Sequence, residues 1–246
     1  MVTAVKKTQI YIEEKLKHGK PLHFTLIDPQ TLKKKEDIEK CINFKTDAFM
    51  LGGSIQINQE YAKSIVETIK SIDDTIPIIG FPGNVDGVFD YMDAVFFMSL
   101  LNSTNPYWIT GAQAISAFDI KTKKMETLSL AYLIIEPGET VGFIGDAKPI
   151  PRKKSEIACS YALAAQYMGF KYVYLEAGSG AEKSIPPQMI SMVKKIIDIP
   201  LIIGGGIKTP ESAREKALAG ADIIVTGNVF DDDPNLLKDI IKAVKE

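Results

Sequence analysis

Residues able to do chemistry stand at the ends of apolar runs in this chain. The clearest case is Tyr174-Leu175-Glu176-Ala177-Gly178-Ser179-Gly180, which closes a run of Tyr, Val and Leu. A carboxylate in an apolar wall is partly desolvated, which lifts its pKa toward the range useful to a general base, although a nearby Mg2+ would oppose the shift. Glu176 is therefore the candidate base. Tyr174, two positions earlier, faces the same side of a strand and can bind substrate or position the acid. Two plainer roles stay open: Glu176 pairing with a lysine inside the fold, and Tyr174 as a core tyrosine.

Glycines recur at the next two run ends, as Gly204-Gly205-Gly206 and Gly227-Asn228. Without a Cβ the backbone can approach a ligand closely, and its N–H groups can converge on phosphate oxygens. Tight turns alone would explain one such loop, but three in succession point to phosphate. No G-x-G-x-x-G follows the first run, so this is not a dinucleotide fingerprint. Asp28-Pro29 ends the first run and Gly52-Gly53-Ser54 the second. Asp28 is the candidate metal ligand with Ser54 beside it, and Mg2+, which binds through one or two protein oxygens and substrate phosphates, suits that pair. Asp28 capping the next helix is the alternative. Asn102, Ser103 and Asn105 offer neutral donors at the fourth run end, fit for a second anionic group.

Positioning these residues requires a frame that brings the run ends together. The eight runs are 22–28, 48–53, 76–80, 94–100, 128–135, 172–177, 200–204 and 222–227. They are continuously apolar rather than alternating, as strands buried on both faces are, and amphipathic stretches of helical length separate most of them. Eight βα units predict a (β/α)8 TIM barrel, α/β in class, as a single domain over 1–246. Asn105-Pro106, Thr209-Pro210 and Asp233-Pro234 read as helix starts, and Ser155 as the cap of a helix facing inward with Ile157, Ala158, Tyr161, Ala165 and Met168. An extra amphipathic helix, roughly residues 5–17, precedes the first strand and is placed to plug the barrel bottom. The runs start 18 residues apart at the third step, which leaves a weak or missing third helix. The fifth step, 44 residues, carries an insertion over 137–154 that could serve as a lid. Phe89, Tyr91, Phe96, Phe97, Tyr107 and Trp108 flank the weak third helix, either as core or as a greasy groove leaving the site.

Bulk composition narrows the partners. A net charge of −2 gives no electrostatic case for nucleic acid or an anionic membrane, and the basic runs Lys33–Lys35 and Arg152–Lys154 read as solvated. No apolar stretch is long enough for a transmembrane segment, and the charged first twenty residues are no signal peptide. Cys41 and Cys159 read as reduced packing residues of a cytoplasmic protein, and two histidines make zinc improbable.

In their order and placement, these run ends resemble the geranylgeranylglyceryl phosphate synthase family with its bacterial heptaprenylglyceryl phosphate synthase relatives. The form of the fourth and sixth motifs is most similar to the family's second group, which is often dimeric or hexameric, and a homo-oligomer is the corresponding expectation. The resemblance implies a Mg2+-dependent prenyltransferase that joins the primary hydroxyl of sn-glycerol 1-phosphate to geranylgeranyl diphosphate by an ether bond. It implies Asp28 and Ser54 on Mg2+ at the diphosphate, and the neutral donors Asn102, Ser103 and Asn105 are then the candidates for contact with that diphosphate. It places glycerol phosphate against residues 174–180 (Tyr174, Leu175, Glu176, Ala177, Gly178, Ser179, Gly180), Gly205, Gly206, Gly227 and Asn228. Two other readings stay open: a barrel acting on a phosphoribosyl metabolite through an acid–base pair, and a non-catalytic glycerol-phosphate sensor.

Overall fold

Eight parallel strands close into a barrel in sequence order, β8 pairing back onto β1. They are β1 (Leu22–Ile27), β2 (Ala48–Leu51), β3 (Ile78–Gly80), β4 (Ala94–Leu100), β5 (Glu126–Ile134), β6 (Tyr172–Glu176), β7 (Leu201–Gly204) and β8 (Ile223–Thr226). The computed structural model describes residues 7–28, 35–53, 59–227 and 234–246. The helices are α1 (Lys7–Leu16), α2 (Lys35–Asn43), α3 (Gln59–Ile72), α4 (Ala112–Thr122), α5 (Glu139–Ile144), α6 (Ser155–Tyr167), α7 (Pro187–Lys194), α8 (Pro210–Leu218) and α9 (Pro234–Lys245). Each strand lies within two residues of its expected bounds. Continuous apolar character is explained by two separate cores. Phe24, Phe96, Tyr172, Tyr174 and Ile202 fill the barrel, while the residues between them, such as Val173 and Leu175, pack outward against helices.

The barrel bottom is closed as the sequence predicts. Ile12 of α1 is fully buried among the interior residues Leu22, Phe24 and Leu128. Glu126, the first residue of β5, accepts the N–H groups of Thr8 and Gln9 at 2.9 and 2.8 Å, so a buried carboxylate satisfies donors that the first helical turn leaves unpaired.

The third helix is missing. A single 3₁₀ turn at Val85–Gly87, capped by the Asn84 side chain, stands in its place. Other helix starts divide. Thr209 Oγ1 accepts the Ser212 N–H at 3.2 Å, as expected of a cap. Asn105 Oδ1 accepts the Tyr107 N–H, and the chain then makes a π-helical turn before α4. Asp233 lies outside the described residues. Ser155 is not a cap: α6 begins on it, and Lys154 holds the cap position without a side-chain bond. The inward face of α6 is Ala158, Ala162 and Ala165, whose small side chains let the helix lie close to the barrel, while Ile157 and Met168 point to solvent. Cys41 and Cys159 are free thiols, buried and half-buried.

Candidate active site

Parallel strands deliver all their carboxyl ends to one rim, and a cavity of about 690 Å³ opens there. Among the described residues that line it, the charged ones are Asp28, Glu176 and Lys208.

Glu176 ends β6 and points inward, buried. The backbone N–H of Gly178 donates to its Oε1 at 2.7 Å, and the Tyr132 hydroxyl lies 3.3 Å from its Oε2. Burial pushes its pKa up, while the Gly178 N–H and the hydroxyls of Tyr174 and Tyr132 pull it down. The net direction is upward, so the group is a stronger base than an exposed glutamate. Burial holds both tyrosines well above their ordinary pKa, so they remain hydroxyl donors to the carboxylate. The neighbouring strand makes room for this cluster. A Cβ on Gly204 would strike the Tyr174 hydroxyl, and one on Gly205, which has a φ of +80°, would strike Glu176 Oε1.

Ser179, Gly180, Gly205, Gly206 and Gly227 line the same end of the cavity, with φ of +77° and +67° at Gly180 and Gly206. Lys208 joins them, its Nζ donating to the Gly180 carbonyl at 3.2 Å. This cation was not singled out from the sequence. Its one signal there is its place between the Gly204-Gly205-Gly206 run and the Thr209 cap of α8. Glycine loops and an ammonium group make an end suited to a phosphate.

Within the β6 motif, three residues have contacts inside the protein. Leu175 and Ala177 turn outward into the core beneath the helices, because side chains alternate along the strand. Gly178 spends its N–H on Glu176. Asn228 and Ser54 lie outside the described residues.

Asp28 follows β1, the strand that pairs with β8, and lines the same cavity. A Cβ on Gly53 would lie 2.8 and 2.9 Å from its two carboxylate oxygens, so only glycine leaves that carboxylate its space. An anionic end cannot take a diphosphate without an intervening cation, and Asp28 as one carboxylate ligand fits a Mg2+ held mainly by substrate oxygens. Among the described residues no cluster of three or more His, Cys, Asp and Glu side chains is assembled for a metal.

The donors after β4 do different work from the one expected. Asn102 is buried; its Nδ2 donates to the carbonyls of Ile134 and Lys148, both at 2.9 Å, and its Oδ1 accepts the Ile134 N–H at 3.0 Å. Ser103 Oγ donates to the Gly145 carbonyl at 2.6 Å, and Asn105 Nδ2 to Asp146 Oδ2 at 2.9 Å. None of the three lines the cavity. They fasten the 137–154 insertion, whose carbonyls would otherwise be buried unpaired. Arg152 adds bonds to the carbonyls of Lys183 and Ser184. Val141, Ile144 and Gly145 from this segment line the cavity, so it is a fastened roof.

An apolar branch leaves the site over the end of β3. Only Ala94 and Val95 of β4 pair with β3, so the rest of β4 lacks a strand on that flank. Val88, Val95, Phe97, Trp108 and Ile120 line the branch, which runs between β4 and α4. The aromatic cluster therefore splits. Phe96, Phe97 and Trp108 line the cavity. Phe89 and Tyr91 stack on each other at 5.2 Å elsewhere, and Tyr107 donates to Asn84 Oδ1 at 2.6 Å.

Comparison with known proteins agrees with this geometry. The PcrB family matches residues 11–246. The geranylgeranylglyceryl phosphate synthase of Thermococcus gammatolerans is 53% identical over 232 residues, covering 92% of this chain and 90% of its own. That of Methanosphaera stadtmanae is 53% identical over 233 residues, covering 94% and 95%. The crystal structure of (S)-3-O-geranylgeranylglyceryl phosphate synthase from Thermoplasma acidophilum, in complex with substrate sn-glycerol-1-phosphate, is 39% identical with a TM-score of 0.90. The likeness covers 95% of this chain and 98% of that one.

Proposed function

The chain belongs to the PcrB family, and on that premise we propose that it is a prenyltransferase making the first ether bond of archaeal-type lipids. It joins the primary hydroxyl of sn-glycerol 1-phosphate to geranylgeranyl diphosphate and releases diphosphate. The observation that carries this reading is one cavity lined by Asp28, by Glu176 with Lys208 and the glycine loops, and by an apolar branch.

Lys208 and the glycine loops hold the glycerol phosphate, which places its free hydroxyl at Glu176. Glu176 orients that hydroxyl and takes its proton as the oxygen attacks. Tyr132 and Tyr174 steady the carboxylate. The diphosphate lies on the Asp28 side, away from the buried Glu176 charge, and the branch between β4 and α4 takes the prenyl tail and keeps water from the reacting carbon. Asp28 would hold Mg2+. A bound Mg2+ would neutralise the leaving diphosphate and so assist its departure.

A phosphoribosyl substrate would leave the apolar branch without a use, and a sensor would have no need of a buried carboxylate with a raised pKa. The protein works in the cytoplasm as a dimer or hexamer under this proposal, with the exposed Ile115 and Phe118 of α4 available as contact surface; light scattering measures that state. No helix among the described residues is long and apolar enough to cross a membrane.

Incubation with sn-glycerol 1-phosphate, Mg2+ and prenyl diphosphates of graded length tests the activity directly. Ether product with the geranylgeranyl donor is expected. Absence of product at every length would overturn the proposal.

A further inference from the structure

One residue of the cavity lining carries no signal of its role in the sequence. Phe81 follows β3, and its N–H donates to the Leu51 carbonyl at 2.8 Å. Its own carbonyl occupies the space a Cβ on Gly52 would need, one residue before the Gly53 that abuts Asp28. Its ring reaches the other way, stacked on Tyr174 with centroids 5.8 Å apart and planes 28° apart. Tyr132 and Phe96 meet it edge to face at 5.6 and 6.2 Å. Phe96, Tyr132 and Tyr174 are buried, whereas Phe81 keeps partial exposure and lines the cavity. So Phe81 is the member of the four-ring cluster with the most surface left for a ligand, and it reaches from Gly52, beside the glycine that abuts Asp28, to the tyrosines of Glu176.

We infer that Phe81 is a catalytic residue whose ring stabilises the positive charge that develops on the allylic carbon; this rests on the prenyl-transfer reading above. The carbon–oxygen bond to diphosphate breaks and its electron pair leaves with diphosphate. The electron-poor carbon must then sit between the leaving group and the glycerol oxygen, which is the interval Phe81 occupies. A lone pair of that oxygen forms the new carbon–oxygen bond, and the hydroxyl proton passes to Glu176. The negative face of an aromatic ring attracts such a charge, strongly where water is excluded. Rings meeting Phe81 by their edges and by one stacked face hold it in place without adding a competing cation. The ring also covers the carbon from water. If water reached it, the same bond would break and the product would be the free prenyl alcohol.

The test is single-turnover reaction of the full-length protein with radiolabelled geranylgeranyl diphosphate, resolving ether from prenyl alcohol. Phe81→Leu keeps bulk without a π face and is expected to slow ether formation roughly thirtyfold while raising the alcohol share. A series with mono-, di- and trifluorophenylalanine at position 81 keeps the ring's shape and drains its face of negative charge. Ether formation is expected to fall stepwise along that series, to about tenfold at three fluorines, with glycerol phosphate affinity unchanged. Rates indifferent to fluorination would overturn the inference even if Phe81→Leu were slow, because shape alone would then explain the loss. A wild-type protein that yields no ether would overturn the prenyl-transfer reading, and this inference with it.

Discussion

The β6–β8 side of the rim and the β1–β4 side are built by opposite means. On the first, backbone does the holding: glycines with left-handed φ, a strand-end carboxylate fixed by the N–H two residues on, and one lysine. On the second, side chains and missing elements do it: a carboxylate against a glycine, a phenylalanine spanning a gap, and an absent helix that leaves room for a tail. Under the proposed function, the hydroxyl substrate is thus held tightly and the prenyl donor loosely. A compact polar substrate needs many converging donors, whereas a long apolar chain needs volume and dryness.

The largest expected effect is that of Glu176→Gln. Turnover should fall about 10²- to 10⁴-fold, the usual worth of a general base, while glycerol phosphate binding by calorimetry survives. Near-normal turnover would remove Glu176 from the base role. On the other side, Asp28→Asn or chelation of Mg2+ should cost about 10²-fold or more in turnover, recovered on adding Mg2+ to the wild type only. A chelator without effect would deny the metal. Lys208→Met should weaken glycerol phosphate binding about 10- to 100-fold, as loss of a charge-assisted bond does, with little change in the affinity for prenyl diphosphate. An equal loss for both ligands would erase the division between the two sides.

Smaller effects concern stability. Asn102→Ala should cost about 2–3 kcal/mol by orphaning buried backbone groups, read by denaturant unfolding, and should leave diphosphate affinity intact. A selective loss of diphosphate affinity would restore the role first expected of Asn102. The raised pKa of Glu176 supplies a pH signature. In the window between its ordinary value of 4.5 and its raised folded value, the native state binds more protons than the unfolded chain. Stability therefore declines as pH rises through that window while activity climbs. Glu176→Gln should flatten both trends and melt no lower than wild type at neutral pH; an unchanged pH dependence of melting would assign the effect to another group.

Much of this was legible in the sequence, for identifiable reasons. The strand ends marked Asp28, Glu176 and the glycines, because a polar residue closing a two-face-buried strand has one place to point. Spacing showed the absent helix after β3 and the helix across the barrel bottom. Strand parity already separated Tyr174 and Glu176 from Leu175, although the motif as a block hid it. The bonds that Asn102, Ser103 and Asn105 make within the chain were not legible, because a donor at a strand end reads the same whether it meets a ligand or a carbonyl 46 residues away. Lys208 is one cation among 29 lysines and arginines, and nothing local distinguishes it. Phe81 needs three strand ends at once to show what it spans. On α6 the phase was set by alanines that allow close packing, which outweighed the larger Ile157 and Met168.

The missing helix after β3 separates two kinds of inheritance. Under the proposed function, the walls of the tail branch belong to β4 and α4, while Asp28, Glu176 and Lys208 belong to other strands and their loops. On that proposal, a change in side-chain size along α4 alters which prenyl length is accepted without disturbing the bond-forming machinery, so chain length and reaction rate drift independently in the same barrel.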